Sequence, residues 1–262
     1  MRQPRICARV AGLALAAMLA SSGCATTAQR AERQQQERKA ESRLNIGAEY
    51  LTSGRVALAL REFLAAEKLD PENPRAHYFL SEAYLMRGLS EEAEAHFRRA
   101  IEIDPDYHDP RLSLTGLLIV EERYEEAVAE CNVLIDDPTF ASPWRALANR
   151  GWAEFKLGRI DEAGSTLDLA LDYRSNYWPA SLSLATIEVE QGQRMQAIRR
   201  YEDIIALEPG PIVESEVNYR LAQVHIALGN RRQAVGHLTT SVARAPEGRW
   251  ARKSQEYLKL LH

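Results

Sequence analysis

Six histidines, three cysteines and several paired acids are the side chains of this sequence able to ligate a metal, attack an electrophile or move a proton. His77, His96, His108, His225, His237 and His262 show no HExxH or comparable spacing, the pattern that sets two imidazoles on one helical face. His77 and His225 stand where large packing residues are normally found, so they are expected to be satisfied core histidines. No GxSxG elbow, phosphate loop or dinucleotide fingerprint occurs. Glu91-Glu92 and Glu125-Glu126 fall at the starts of second helices, where they complement the helix dipole and face solvent. Cys7, Cys24 and Cys131 are far apart and form no CxxC pair, which argues against a metal site or a disulfide framework. The expectation is a protein with no catalytic residues, no metal, no cofactor and no small-molecule substrate.

The composition, 45% hydrophobic and 27% charged, can bury a substantial core and is not that of a disordered chain. The formal charge is −4, and the first 23 residues hold three arginines and no acid, so a chain starting at Cys24 carries −7. A mildly acidic body lacks the basic footprint that nucleic-acid binding requires. Arg2, Arg5 and Arg9, followed by the apolar run Val10 to Ala20, make residues 1–23 an export signal. The run is too short for a permanent membrane span, which needs about 20 apolar residues. Ser21-Ser22-Gly23-Cys24 resembles the bacterial lipobox, with Ser21 where an aliphatic residue is usual. That resemblance implies cleavage before Cys24 and lipidation of its side chain. Ala25, rather than Asp, is similar to the pattern sent on to the outer membrane, leaving the protein lipid-anchored on its periplasmic face. The same flanks also fit an ordinary cleavable signal with a chance cysteine. Residues 24–39 are expected to be a polar tether, helical in its second half.

The elements that must position everything else repeat. Pro71 and Pro105 lie 34 residues apart, and Ala59, Phe63 and Ala66 align with Ala93, Phe97 and Ala100. A period of 34 with this pattern is the tetratricopeptide (TPR) signature. Carried forward it gives six units, 40–73, 74–107, 108–143, 144–177, 178–214 and 215–248. The eighth residue of each is small: Gly47, Ser81, Thr115, Gly151, Ala185 and Ala222. The twentieth is alanine in all six, at 59, 93, 127, 163, 197 and 234. Two helices can approach at a crossing only where side chains are nearly absent. The twenty-fourth is a knob: Phe63, Phe97, Cys131, Leu167, Tyr201 and Leu238, so Cys131 reads as a small buried hydrophobe. Prolines 71, 105, 138, 209 and 246 stop second helices, with Ser175 in the fourth unit. Glycines mark the turn inside each hairpin except in the third unit, which has Glu122. Residues 249–262 carry Trp250, Tyr257, Leu258 and Leu261 at helical spacing and are expected to cap the array. The fold expected is an all-α, right-handed α-solenoid of about six TPR hairpins plus that capping helix.

In such solenoids the first helix of each hairpin faces the groove. The positions read from the register are Tyr78, Leu85, Leu112, Ile119, Trp152, Phe155, Leu182, Val189, Tyr219 and Ile226. They make an apolar strip with aromatic anchors, the composition of a groove for a peptide or helix. The twelfth position, apolar in all six units, equally suits packing between neighbouring hairpins. Tyr78, Trp152 and Phe155 are the sharper binding candidates, because exposed aromatic anchors dominate binding energy.

With these features in place, the chain resembles the pilotin lipoproteins of type IV pili, the PilF/PilW/Tgl family. Leu44-Asn45-Ile46-Gly47-Ala48-Glu49-Tyr50-Leu51 opens the first hairpin soon after a short tether, as in that family. The lengthened junction Asp137-Pro138-Thr139-Phe140-Ala141-Ser142-Pro143, followed by Asn149 and Gly151, is similar to the family's DP-x-YPTP…N-x-G stretch, with Phe140 for Tyr and Ala141-Ser142 for Pro-Thr. Repeat count and length agree across nearly the whole chain after the signal. The resemblance implies binding of an outer-membrane secretin subunit, and promotion of its localisation or multimerisation for pilus assembly. The alternative is a lipoprotein TPR scaffold for another envelope machine, serving outer-membrane protein assembly or docking peptidoglycan enzymes.

Overall fold

The computed structural model describes residues 7–261, with side chains from Thr27 onward. The side chain of Cys24, the candidate for lipidation, lies outside those described, as do residues 1–6 of the expected export signal. Among the described residues there are thirteen α-helices and no strand. The chain divides into two compact units, Met1–Pro110 and Arg111–His262.

In the first unit, the end of α1 (Cys7–Thr52) pairs with α2 (Val56–Leu69), and α3 (Pro74–Leu85) pairs with α4 (Ser90–Ile103). The backbone is helical throughout 24–39, where helix was expected only in the second half. From Thr27 to Lys39 its side chains are exposed save for the half-buried Gln36 and Glu37, and packing begins at Ala40 and Leu44. In α2, Ala59, Leu60, Phe63 and Ala66 are buried, one stripe at helical spacing. Pro74 opens α3, and the Asn73 side chain caps it by accepting from the Arg75 amide at 3.1 Å.

The second unit runs from α5 (His108–Val120), which begins at the boundary, through α6 (Tyr124–Asp136), α7 (Pro143–Lys156), α8 (Ile160–Tyr173), α9 (Trp178–Glu190), α10 (Arg194–Ala206), α11 (Pro211–Ala227) and α12 (Arg231–Arg244) to α13 (Arg249–Leu261). The sixth hairpin therefore opens at Pro211, four residues ahead of the unit boundary read from the repeat. α13 packs on α12 and α11. Buried hydroxyls fasten it: Ser254 donates to Ser241 Oγ at 2.9 Å, Ser241 to the Ser215 carbonyl at 2.8 Å, and Ser215 to the Ser241 carbonyl at 2.8 Å. Among the described residues no helix is long and apolar enough to cross a membrane.

The recurring small residues do what their places in the repeat require. All six alanines at the twentieth position are fully buried. A Cβ on Gly47 would lie within 3.0 Å of three Phe63 ring atoms, and one on Gly151 would lie 2.6 Å from Leu167 Cγ. The eighth residue of the repeat thus meets the twenty-fourth. In the third repeat the sizes are exchanged: Thr115 fills more of the crossing and the knob shrinks to Cys131, both fully buried. Gly54, Gly88, Gly158, Gly192 and Gly229 close the turns at φ between 73° and 79°. Glu122 takes the same left-handed conformation, φ 61°, and supports the same turn, with its amide reaching Ile119 O at 3.1 Å and that of Arg123 reaching Leu118 O at 2.9 Å.

Candidate functional site

The ten residues assigned to the groove lie on the first helices of their hairpins, and none is fully exposed. Leu112, Phe155 and Tyr219 are buried; Tyr78, Leu85, Ile119, Trp152, Leu182, Val189 and Ile226 are half-buried. In the first unit, Tyr78 packs its ring against Phe79, Phe97 and Tyr107 at centroid distances of 5.6, 6.2 and 5.5 Å. In the second, Trp152 and Phe155 lie 5.3 Å apart, and the Lys156 ammonium stands 5.7 Å over the Trp152 ring. Leu182 and Val189 pack on the cluster around Tyr201 and Leu221. Tyr219 and Ile226 belong to the cluster that receives α13: Trp250 and Tyr257 lie 5.1 and 5.9 Å from the Tyr219 ring. The capping helix therefore occupies this face of the sixth hairpin. The half-buried rings of Tyr78 and Trp152 have an apolar body and a remaining accessible edge, the form that suits an anchor for an incoming apolar side chain.

A second set of functional-type side chains was missed by motif reading. In four repeats the fourth and twenty-third residues, nineteen apart, touch across the hairpin. Arg43 donates to Glu62, Arg111 to Glu130, and His237 Nδ1 to Asn218 Oδ1 at 3.0 Å, while His77 Nδ1 and His96 Nδ1 lie 2.9 Å apart. The eleventh residue joins this polar layer. Tyr84 stacks on His96 and His225 on His237, and Glu188, almost fully buried, accepts from Arg200 at 2.9 Å. His77 and His225 are buried, as expected, with different outcomes. His77 Nε2 reaches the Pro71 carbonyl at 2.9 Å, while His225 Nδ1 has no hydrogen-bond partner among the described residues. Complementary residues nineteen apart, Arg43 with Glu62 and Arg111 with Glu130, were the signal available in the sequence. They become visible only once the repeat register is known.

The electrostatics follow from burial in this layer. The Arg43 guanidinium holds the Glu62 carboxyl below its ordinary range despite burial. Burial pushes His96 and His237 below the usual imidazole value of 6.5. Burial likewise pushes the Cys131 thiol up to about 12, so it is a packing group and not a thiolate nucleophile.

The lengthened junction between α6 and α7 is built around two residues. Asp137 Oδ1 accepts from both the amide and the hydroxyl of Thr139 at 2.7 Å, tightening the turn. Phe140, buried, then plugs a small cluster with Leu112, Leu134 and Ala146. The junction is thus a proline-bearing turn pinned by an aromatic side chain.

Helical hairpins whose crossings are held by small residues at fixed repeat positions define a TPR protein, a class that presents surfaces for other proteins. The tetratricopeptide repeat family matches residues 44–108 and again 144–168. The chain is 23% identical over 207 residues to the type IV pilus assembly protein PilF of Pseudomonas aeruginosa, covering 78% of this chain and 82% of that one. A shorter stretch of 87 residues is 36% identical to DnaJ homolog subfamily C member 3 of Rattus norvegicus; it covers 33% of this chain and spans only 17% of that relative's length. In structure the chain is similar to PilW, described as a widely conserved type IV pilus biogenesis factor, with a TM-score of 0.71, 23% identity, and coverage of 82% of this chain and 97% of that one. At that identity the structural likeness establishes the TPR fold.

Proposed function

We propose that this protein is a pilotin: an outer-membrane lipoprotein, anchored through acyl chains on Cys24, that binds a secretin subunit and promotes its localisation or multimerisation for type IV pilus assembly. The observation that carries the reading is the extent of one likeness. Similarity to a pilus assembly protein runs over 82% of that protein's length, whereas DnaJ homolog subfamily C member 3 is matched over 17% of its length in Rattus norvegicus and 41% in Gallus gallus. The sequence of the Asp137–Pro143 junction and the lipobox-like run before Cys24 support the same reading.

The physical logic is that of a tethered adaptor. Acyl chains confine it to the membrane where the partner inserts, raising their effective mutual concentration without further contacts. Tyr78 in the first unit and Trp152 in the second supply half-buried aromatic anchors for the partner. Deleting the gene should remove pili and SDS-resistant secretin multimers while leaving secretin monomer; multimers at wild-type levels reject the proposal. Cys24→Ala should release the protein from membranes. Trp152→Ala should weaken capture of the secretin by about 2 kcal/mol or more if that ring is a hot spot. A crosslinked pull-down that recovers outer-membrane assembly factors or peptidoglycan enzymes instead would favour the other envelope scaffold.

A further inference from the structure

Three consecutive helices of the first unit each bring one ligand-type atom to a common point. Glu67 on α2, His77 on α3 and His96 on α4 offer a carboxylate oxygen and two Nδ1 atoms that all lie within 4.8 Å of one another. Glu67 Oε1 is 3.6 Å from His77 Nδ1 and 3.9 Å from His96 Nδ1, and the two Nδ1 atoms are 2.9 Å apart. The side chains are 29%, 7% and 20% exposed, so the cluster is sheltered yet open on one side. We infer that Glu67, His77 and His96 form a binding site for a divalent transition-metal ion of the zinc type, with its remaining coordination position open to water or to a partner's side chain.

The geometry and the donor set both favour this. Zinc bonds of ~2.0–2.1 Å in a tetrahedral shell place ligand atoms ~3.3–3.4 Å apart. The three observed separations bracket that value, so adjustments of a few tenths of an ångström complete the shell. Two imidazoles and a carboxylate are the ligand types of open zinc sites. The outer shell is also in place. His77 Nε2 donates to the Pro71 carbonyl at 2.9 Å, which fixes the tautomer whose Nδ1 lone pair points at the cluster. Tyr84 stacks on the His96 ring at 5.5 Å and holds its plane.

The competing explanation is that His77 and His96 are merely another version of the polar pair nineteen residues apart. That pair is complementary elsewhere: arginine with glutamate twice, and histidine with asparagine in the sixth repeat. In the second repeat both partners are imidazoles, and the preceding helix adds a carboxylate. The ligands come from three helices at spacings of ten and nineteen residues, which no short motif encodes.

The sixth repeat supplies a fold-compatible test. His77→Asn places in the second repeat the partner that Asn218 already gives His237. Zinc titrated into the untagged full chain, followed by competition with a chromophoric chelator, should show one ion per chain. His77→Asn and Glu67→Gln each remove a ligand and should each weaken binding beyond the ~10–100-fold typical of outer-shell losses. His237→Asn should leave it unchanged. X-ray absorption of the zinc-loaded chain should show two imidazole nitrogens. Absence of stoichiometric zinc binding, binding undiminished in a folded His77→Asn variant, or loss in His237→Asn would overturn the inference.

Discussion

The two helical glycines of one hairpin give opposite predictions for the same substitution. A methyl group on Gly151, in α7, would meet Leu167 Cγ at 2.6 Å and Cδ2 at 2.9 Å, and Leu167 is fully buried. A methyl on Gly164, in α8, would meet nothing within 4 Å. Replacing glycine by alanine inside a helix is intrinsically favourable by about 1 kcal/mol. Forcing an extra carbon into a packed core costs ~1–3 kcal/mol. Gly164→Ala should therefore stabilise the protein by about 1 kcal/mol, and Gly151→Ala should be neutral to destabilising by ~2 kcal/mol, the packing cost less the helical gain. Urea unfolding followed by far-ultraviolet circular dichroism reads both. The double mutant settles the cause: in a Leu167→Ala background the side-chain obstruction is gone and only the Ala163 carbonyl oxygen, 3.3 Å away, remains, so Gly151→Ala should lose most of its cost and be favourable by at most about 1 kcal/mol. If Gly151→Ala stabilises the native protein as much as Gly164→Ala does, or its cost persists with Leu167 truncated, the close crossing is not the reason glycine stands there.

Other outcomes follow from single features. Glu122 holds a left-handed φ of 61° with an exposed side chain, so Glu122→Gly should raise stability by ~0.5–1 kcal/mol in the same urea assay. His96 and His237 have imidazoles depressed below 6.5 in the folded state. The unfolded chain then binds more protons just below that value, so stability should be level above 6.5 and fall as pH drops from 6.5 through the folded values. Thermal unfolding against pH checks this, and replacing both histidines by asparagine should flatten the decline. Cys131, buried with its thiol raised to about 12, should resist alkylation in the native protein and react once denaturant is added.

Much of the fold was legible because its determinants are periodic. Alanine at one position of six repeats, with a small residue twelve places earlier, marks the helix crossings directly, and those alanines are fully buried. The layer of polar pairs was not legible in the same way. Arg43 with Glu62 and Arg111 with Glu130 are contacts between facing helices, and only the hairpin geometry makes nineteen residues a meaningful separation. The exchange of sizes between Thr115 and Cys131 was hidden for a related reason: each looks like a weak match alone, and they compensate only as a pair. Glu122 shows that a turn can impose a left-handed conformation on a side chain that disfavours it. The groove assignments depended on solvent exposure, which the register does not fix. Tyr219 has the right position in its repeat, yet Trp250 and Tyr257 from the last helix lie over it.

The three serine hydroxyls joining α11, α12 and α13 bear on which helix can sit at that edge of the second unit. Apolar contacts alone would accept any amphipathic helix at that edge, including one from another chain, and would tolerate a slip along the axis. Directed bonds from Ser254 through Ser241 to Ser215 accept one helix in one setting, because a displaced helix strands desolvated oxygens. Arg252, Lys253, Glu256 and Lys259 of α13 lie in solvent, as does Leu260. The setting of α13 is thus written into three hydroxyls, like the wards of a lock, and seating a different helix there would require rewriting those three positions together.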